Sequence, residues 1–281
     1  MKVFKTIKEI THYLQNIRSK ELSIGFVPTM GALHKGHLSL VNEAKKNTNI
    51  VVVSVFVNPT QFNNSEDFDK YPNQIKQDLE LLQKENVDCV FLPTADELYA
   101  KEALVKIDFG YLEHIMEGEF RSGHFNGVAT VVSKFFNIIN PDKAFFGQKD
   151  IQQVAVIKAL IDALSFQIEL VVVPTLREKS GLAMSSRNQR LSQEEKTKAS
   201  EIYKTLYTIQ ESLLKGGSFK EIQQEEIAQL ETNYGFRVEY LELAKASNLE
   251  ITATIDSERY AICIATYLGD VRLIDNLIFV A

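Results

Sequence analysis

The sequence predicts an α/β protein, a Rossmann-like doubly wound parallel sheet followed by a smaller α+β lid domain. Three observations lead there. Strand-like and helix-like stretches alternate through the first two-thirds of the chain. The run Ile50-Val51-Val52-Val53-Ser54-Val55-Phe56-Val57 is apolar on both faces, as a central parallel strand must be. After Pro174 the texture changes to helices followed by strands and tight turns.

Taken in order, Thr6-Ile7-Lys8-Glu9 has the spacing of a capping box and opens a helix to about Ser19. The segment before it, Met1 to Lys5, runs directly into that amphipathic stretch. Leu22 to Val27 reads as a short buried strand, and a Pro-Thr-Met-Gly loop leads into a helix from about Gly36 to Lys46. After the Ile50–Val57 strand come a helix near Asn73–Glu85, a strand over Asp88–Leu92 and a long helix over Gly127–Ile139. A strand at Lys143–Phe146, a helix at Asp150–Leu164 and a strand at Gln167–Val173 complete the alternation. Repeated strand–helix–strand units place ligands at the carboxyl ends of the strands. Further on, Ser192…Glu195 and Ser218…Glu221 repeat the capping-box spacing ahead of two helices. Strands are predicted at Val238–Ala244, Tyr260–Tyr267 and Val271–Leu273. The expected division is 1–175 for the Rossmann-like domain and 176–281 for the smaller one.

Composition narrows the function. The 281 residues are 45% hydrophobic and 24% charged, ordinary for a globular enzyme, and the net charge of −6 argues against a nucleic-acid-binding surface. No apolar stretch approaches the roughly 18–20 residues that span a bilayer, and the N-terminus lacks the apolar block of a signal peptide. The expectation is a cytoplasmic enzyme with no membrane partner. Cys89 and Cys263 lie in apolar, strand-like runs and read as buried thiols, neither a disulfide pair nor a zinc site.

Four segments carry candidate chemistry. Pro28-Thr29-Met30-Gly31-Ala32-Leu33-His34-Lys35-Gly36-His37 joins a strand to a helix, where unpaired backbone N–H groups and the helix dipole favour phosphate. His34 and His37, three residues apart, share the first turn and can donate to phosphate oxygens, unless the segment is simply a glycine-rich turn with two surface histidines. Phe146-Gly147-Gln148-Lys149-Asp150 repeats that placement. Asp150 with Gln153 fits an N-cap and its partner, whereas Lys149 beside a helix start suits a phosphate. In Gly181-Leu182-Ala183-Met184-Ser185-Ser186-Arg187-Asn188, small hydroxylated residues beside an arginine can wrap a triphosphate or form a polar interdomain loop. Asn58-Pro59-Thr60-Gln61-Phe62 follows the most hydrophobic strand and reads either as a polar substrate contact or as an ordinary turn. The acidic stretch Glu66-Asp67-Phe68-Asp69 reads as a solvated loop rather than a metal site.

Together these segments resemble the pantothenate synthetase family over nearly the whole chain. The matching stretches are PTMGALHKGHLSL (28–40), VVVSVFVNPTQF (51–62), GHFNGVATVVSKFFNIINPDKAFFGQKDIQQ (123–153) and GLAMSSRN (181–188). The resemblance also ties the chain to the nucleotidylyltransferase superfamily, whose H-x-G-H and K-M-S-K-S elements look like His34–His37 and Ala183–Arg187. The second element lacks the usual lysines and has Arg187 at its basic end.

The resemblance implies an ATP-dependent ligase of the coenzyme A pathway. It would join pantoate to β-alanine through a pantoyl adenylate, with Mg2+ on the phosphates, and would usually be a homodimer. It implies that Met30, Gly31, Ala32, Leu33, His34, Lys35, Gly36 and His37 form the first ATP segment, with His37 as proton donor. Gly147, Gln148, Lys149 and Asp150 would hold the nucleotide, Leu176 would contact ATP through its backbone, and Met184, Ser185, Ser186 and Arg187 would close over the phosphates. Catalysis would rest on His37, His34, Lys149 and Arg187. Gln61 would bind pantoate and face β-alanine, Gln153 would bind pantoate, and Asn58 would join the substrate contacts; no residue is assigned to a metal. Leu176 replaces the commoner valine, and Arg121-Ser122-Gly123 stands where Arg-Pro-Gly is usual. The rival reading is a nucleotidylyltransferase that stops at an adenylylated product; a tRNA-charging enzyme or a non-catalytic nucleotide sensor fits the charge and the paired histidines less well.

Overall fold

The structure, a computed structural model, describes residues 1–62, 71–101 and 104–281. The acidic stretch Glu66–Asp69 therefore lies outside the described residues. Internal contacts divide the chain into a first unit, Met1–Gly147 with Val156–Pro174, and a second, Gln148–Ala155 with Thr175–Ala281.

The first unit is built on β1 (Lys2–Phe4), β2 (Ile24–Thr29), β3 (Ile50–Val55), β4 (Cys89–Phe91), β5 (Lys143–Gly147) and β6 (Glu169–Val173). They form one parallel sheet in the order β1-β4-β3-β2-β5-β6. Among its helices are α1 (Ile7–Arg18), α2 (Lys35–Asn47), α3 (Ile75–Lys84), α4 (Ala95–Leu98), α5 (Met116–Phe120) and α6 (His124–Ile139). The helix α7 (Ile151–Ala163) begins in the second unit and ends in the first. Strand order reverses between β2 and β5, so the carboxyl ends of those two strands flank the topological switch point, the usual ligand position in open α/β sheets.

Local chemistry accounts for most of these elements. Thr6 and Glu9 form both arms of the expected capping box at α1. The β3 run is buried on both faces, as its uniform apolar pattern requires. Phe135 of α6 lies edge-on to Phe26 of β2, to Phe56 and to Phe91 of β4. Each such buried ring contributes roughly 1.5–3 kcal/mol of transfer free energy. Two features lie outside the sequence pattern. The three-residue β1 exists because Val3 pairs with Val90 of β4, a distant partner that no local pattern announces. The helices α4 and α5, of four and five residues, are too short to show a period.

The second unit packs α8 (Gln193–Ala199), α9 (Glu201–Leu214) and α10 (Phe219–Tyr234) with an antiparallel sheet, β7 (Phe236–Lys245), β8 (Arg259–Leu268) and β9 (Val271–Val280). Its core joins Ile202, Leu206 and Ile209 of α9 to Leu241, Ile262 and Ile264 of the sheet. Ser192 and Glu195 form the expected capping box, but Ser218 makes no side-chain cap bond. Burial of Phe219 anchors that helix start instead, so the spacing alone is insufficient. The last strand also runs on past Leu273 to Val280. The expected strand ends ahead of Asp275-Asn276, polar residues that strands disfavour, yet both are buried inside β9 and hydrogen-bonded. Among the described residues no helix is long and apolar enough to cross a membrane.

Candidate active site

In the first unit, the chain leaves β2 through a tight turn into α2. Gly31 sits at φ 81° and Ala32 at φ 49°, both left-handed. A side chain on Gly31 would also meet Asp78 Oδ2 at 3.0 Å, so glycine suits the position twice over. Asp78, on α3 and 1% exposed, fixes this turn. Its Oδ2 accepts the Ala32 N–H at 2.9 Å and its Oδ1 the Leu33 N–H at 2.7 Å. Burial pushes the Asp78 carboxyl above the usual carboxylate range, while the two N–H bonds pull it back. Sequence reasoning misses this residue, because a lone Asp in an amphipathic helix looks like surface.

The two histidines then form a capping box of their own. His34 is the N-cap of α2, and its Nδ1 accepts the Gly36 N–H at 3.1 Å. His37 Nδ1 accepts the His34 N–H at 3.3 Å, and the two rings lie 4.1 Å apart between centroids. A ring nitrogen that accepts carries no proton, so each neutral imidazole holds its proton on Nε2 and is a donor there. Lys35 is exposed and Gly36 half-buried within the same turn.

Beyond β3, Asn58 caps the short turn Pro59–Gln61. Asn58 Nδ2 donates to Gln61 Oε1 at 3.1 Å and to the Gly127 carbonyl at 3.1 Å, while Asn58 Oδ1 accepts Tyr99 Oη–H at 2.7 Å. Gly127 permits this approach, since a Cβ there would lie 2.3 Å from the Thr60 carbonyl oxygen. With its oxygen engaged, the buried Gln61 amide donates from Nε2 to Met30 Sδ at 2.8 Å. The Gln61 carbonyl contacts His124 Nδ1 at 2.8 Å, and His124 lies against Arg121, which pairs with Glu117 at 3.5 Å. Met30, Asn58 and Gln61 are thus brought together. Met30 and Gly31 also line a cavity of about 220 Å³ with Val55, Phe56, Pro59 and Asp78.

In the second unit, Gln148–Asp150 form a 3-10 turn ahead of α7, and Asp150 Oδ1 lies 3.5 Å from Lys149 Nζ. Gln153 follows in the first turn of α7, half-buried. Leu176 reaches Met184 directly, its carbonyl accepting the Met184 N–H at 3.0 Å. Ser185 caps the short turn Ser186–Arg190 by accepting the Arg187 N–H at 3.3 Å. Lys149, Ser185, Arg187, Asn188 and Asp275 line one small depression. Two segments widely separated in sequence therefore place Lys149 and Arg187 together with the Ser185 hydroxyl, a basic, hydrogen-bonding surface suited to phosphate.

Comparison with known proteins supplies the context. The family described as Pantoate-beta-alanine ligase matches residues 2–278. A pantothenate synthetase of Cytophaga hutchinsonii is 47% identical over 286 aligned positions, covering 98% of each chain. The crystal structure of pantothenate synthetase from Thermus thermophilus superposes with a TM-score of 0.90 at 39% identity, covering 99% of both chains. A pantoate-beta-alanine ligase from Francisella tularensis, complexed with beta-gamma ATP and β-alanine, gives 0.80 at 36% identity, covering 99% of this chain and 97% of its own.

Proposed function

The chain belongs to the pantoate–β-alanine ligase family, and from that premise we propose how its residues carry out the ATP-dependent condensation of pantoate with β-alanine. The observation that carries the reading is the pair of imidazoles at the start of α2, each accepting a backbone N–H at Nδ1 and hence a donor at Nε2.

A carboxylate resists attack by an amine because its charge deactivates the carbonyl carbon. In the first step a pantoate carboxylate oxygen attacks the α-phosphorus of ATP. The bond from that phosphorus to the bridging oxygen breaks, and diphosphate leaves. In the second, the β-alanine amine attacks the acyl carbon of the adenylate, the carbon–oxygen bond breaks, AMP leaves, and the amine gives up its proton. Such chemistry calls mainly for positioning and charge stabilisation. His37 and His34 donate from Nε2 to phosphoryl oxygens, and the Met30–His37 segment, with Lys35 and Gly36, follows the nucleotide. Gly147, Gln148, Lys149 and Asp150 hold ATP, Lys149 on its phosphates. Leu176 contacts ATP through its backbone, and Met184, Ser185, Ser186 and Arg187 offset the charge of departing diphosphate. Gln61 donates to substrate oxygens of pantoate or β-alanine, with Asn58 beside it, and Gln153 takes pantoate.

The Francisella tularensis complex supports ATP and β-alanine as ligands. Magnesium enters as the counterion of ATP, a component of the substrate, and is assigned no protein residue. The division into a nucleotide- and pantoate-binding domain, 1–175, and a lid, 176–281, the cytoplasmic setting and a homodimeric assembly belong to the same proposal.

A quench experiment tests it. With ATP, magnesium and pantoate but no β-alanine, the expected outcome is about one equivalent of diphosphate and then a stall, because a mixed anhydride must be shielded from water. Adding β-alanine then releases pantothenate and AMP in one turnover. Diphosphate appearing only after β-alanine is added would overturn the adenylate route. Steady diphosphate release without it would favour the plain nucleotidylyltransferase.

A further inference from the structure

Polar residues in the middle of a strand are costly to bury unless every group finds a partner. Asp275 and Asn276 stand at the centre of β9, 5% and 1% exposed. Both are occupied by the segments that carry the phosphate-facing residues of the second unit. Asn276 Nδ2 donates to the carbonyls of Gln148 at 3.0 Å and Lys149 at 2.9 Å, and its Oδ1 accepts from Gln148 Nε2 at 3.3 Å. Both ends of that one amide go to the turn that presents Lys149. Asp275, on the opposite pleat face, takes Arg177 in a two-pronged pair at 2.5 and 2.9 Å. Arg177 in turn donates to the Gly181 carbonyl at 3.1 Å, at the head of the segment that ends in Arg187, and lies 3.8 Å over the Tyr203 ring. A further Arg177 bond, 3.1 Å to the Asn276 carbonyl, links the two halves of the device.

We propose that Asp275 and Asn276 are positioning residues for the phosphate site, Asn276 setting Lys149 and Asp275 setting the Gly181–Arg187 segment through Arg177. The inference rests on the role proposed above for Lys149 and deepens it. Two turns far apart in sequence are registered on adjacent residues of one rigid strand. A shift of one turn relative to the other would break hydrogen bonds within a buried cluster, and so costs more than the same shift between two solvated loops. A side chain held in this way meets the developing charge without reorganising, which is where such groups gain their effect.

The test is a double-mutant cycle on the full enzyme, with the single-turnover rate of diphosphate formation, the ATP dissociation constant and the melting temperature all measured. Asn276→Ala is expected to slow diphosphate formation about 30- to 100-fold while ATP affinity falls less than about fivefold, since positioning acts on the transition state. In the Lys149→Ala background the same substitution is expected to cost less than about threefold, the non-additivity of residues that act through one another. Equal cost in both backgrounds, or Asn276→Ala within about threefold of the parent, overturns the proposal while leaving the role of Lys149 intact. A Lys149→Ala enzyme at the parent rate removes that role, and the proposal with it. If Asn276→Ala does not fold, Asn276→Ser, which keeps one donor, replaces it in the same cycle.

Discussion

The first unit and the second each carry cationic or proton-donating groups to which the proposed function gives a phosphate role, but they hold them in opposite ways. At the start of α2 the fastening is local: His34 and His37 cap the same helix turn from three residues apart. In the second unit it is remote: β9, late in the chain, bonds the Lys149 backbone through Asn276 and, through Asp275 and Arg177, the Gly181 carbonyl at the head of the segment that carries Arg187. A local device needs only the right residues in the right order, and it arrives with the helix. A remote one exists only when the whole unit has folded. The comparison predicts different failures. Damage at α2 should be chemical, with the fold kept. Damage at β9 should couple chemistry to packing.

The sharpest way to break this contrast is His37→Ala. Loss of one preorganised donor typically costs on the order of 100- to 1000-fold in turnover, and here the ATP dissociation constant and melting temperature are expected to change little. Steady-state kinetics with calorimetric ATP binding checks it, and a rate within about threefold of the parent would remove His37 from the chemistry. A smaller effect is expected where the local device leans on one remote residue. Asp78→Asn keeps one acceptor but turns an amide NH2 toward the Ala32 or Leu33 N–H, costing about 2–3 kcal/mol of stability. Chemical denaturation measures it, and a loss below about 0.5 kcal/mol would show that the Gly31–Leu33 turn holds itself. The smallest concerns capping alone. Ser192→Ala, which breaks a formed box, should cost about 1 kcal/mol, and Ser218→Ala, whose hydroxyl makes no cap bond, a few tenths. Equal costs would mean that the box spacing matters regardless of the bond.

The same contrast explains what is legible in the sequence. The alternation of elements, the central strand at Ile50–Val55 and the H-x-G-H turn all follow from patterns within a few residues, and the structure bears them out. So it does the burial of Cys89 and Cys263. The residues that escape sequence reasoning are those whose meaning lies in a distant partner. Asp78 has the sequence context of a solvent-facing carboxylate and takes on its role only beside the Ala32 and Leu33 amides. The expected strand stops at Leu273, short of Asp275 and Asn276, residue types that are depleted in strands. Their departure from propensity is the available signal, since a local rule broken inside an otherwise regular element often marks a functional constraint. Asn58 reads as a substrate contact or a turn; the structure shows it capping the Pro59–Gln61 turn and bonding the Gln61 amide oxygen. The unformed box at Ser218 is the converse, a correct pattern with no bond behind it.

The two cysteines have a practical consequence. Cys89, fully enclosed in β4, has its thiol pushed up to about 12 by burial, and Cys263 is 2% exposed in β8. At a pH of about 8 the thiolate fraction of Cys89 is on the order of one in ten thousand, and it is the thiolate that reacts with alkylating reagents and disulfides. The native chain therefore offers a dark background for thiol labelling. A single cysteine substituted for the exposed Gln189, in the short turn that carries Arg187, would give one spectroscopic address from which to watch that segment during turnover, with the protein's own thiols silent.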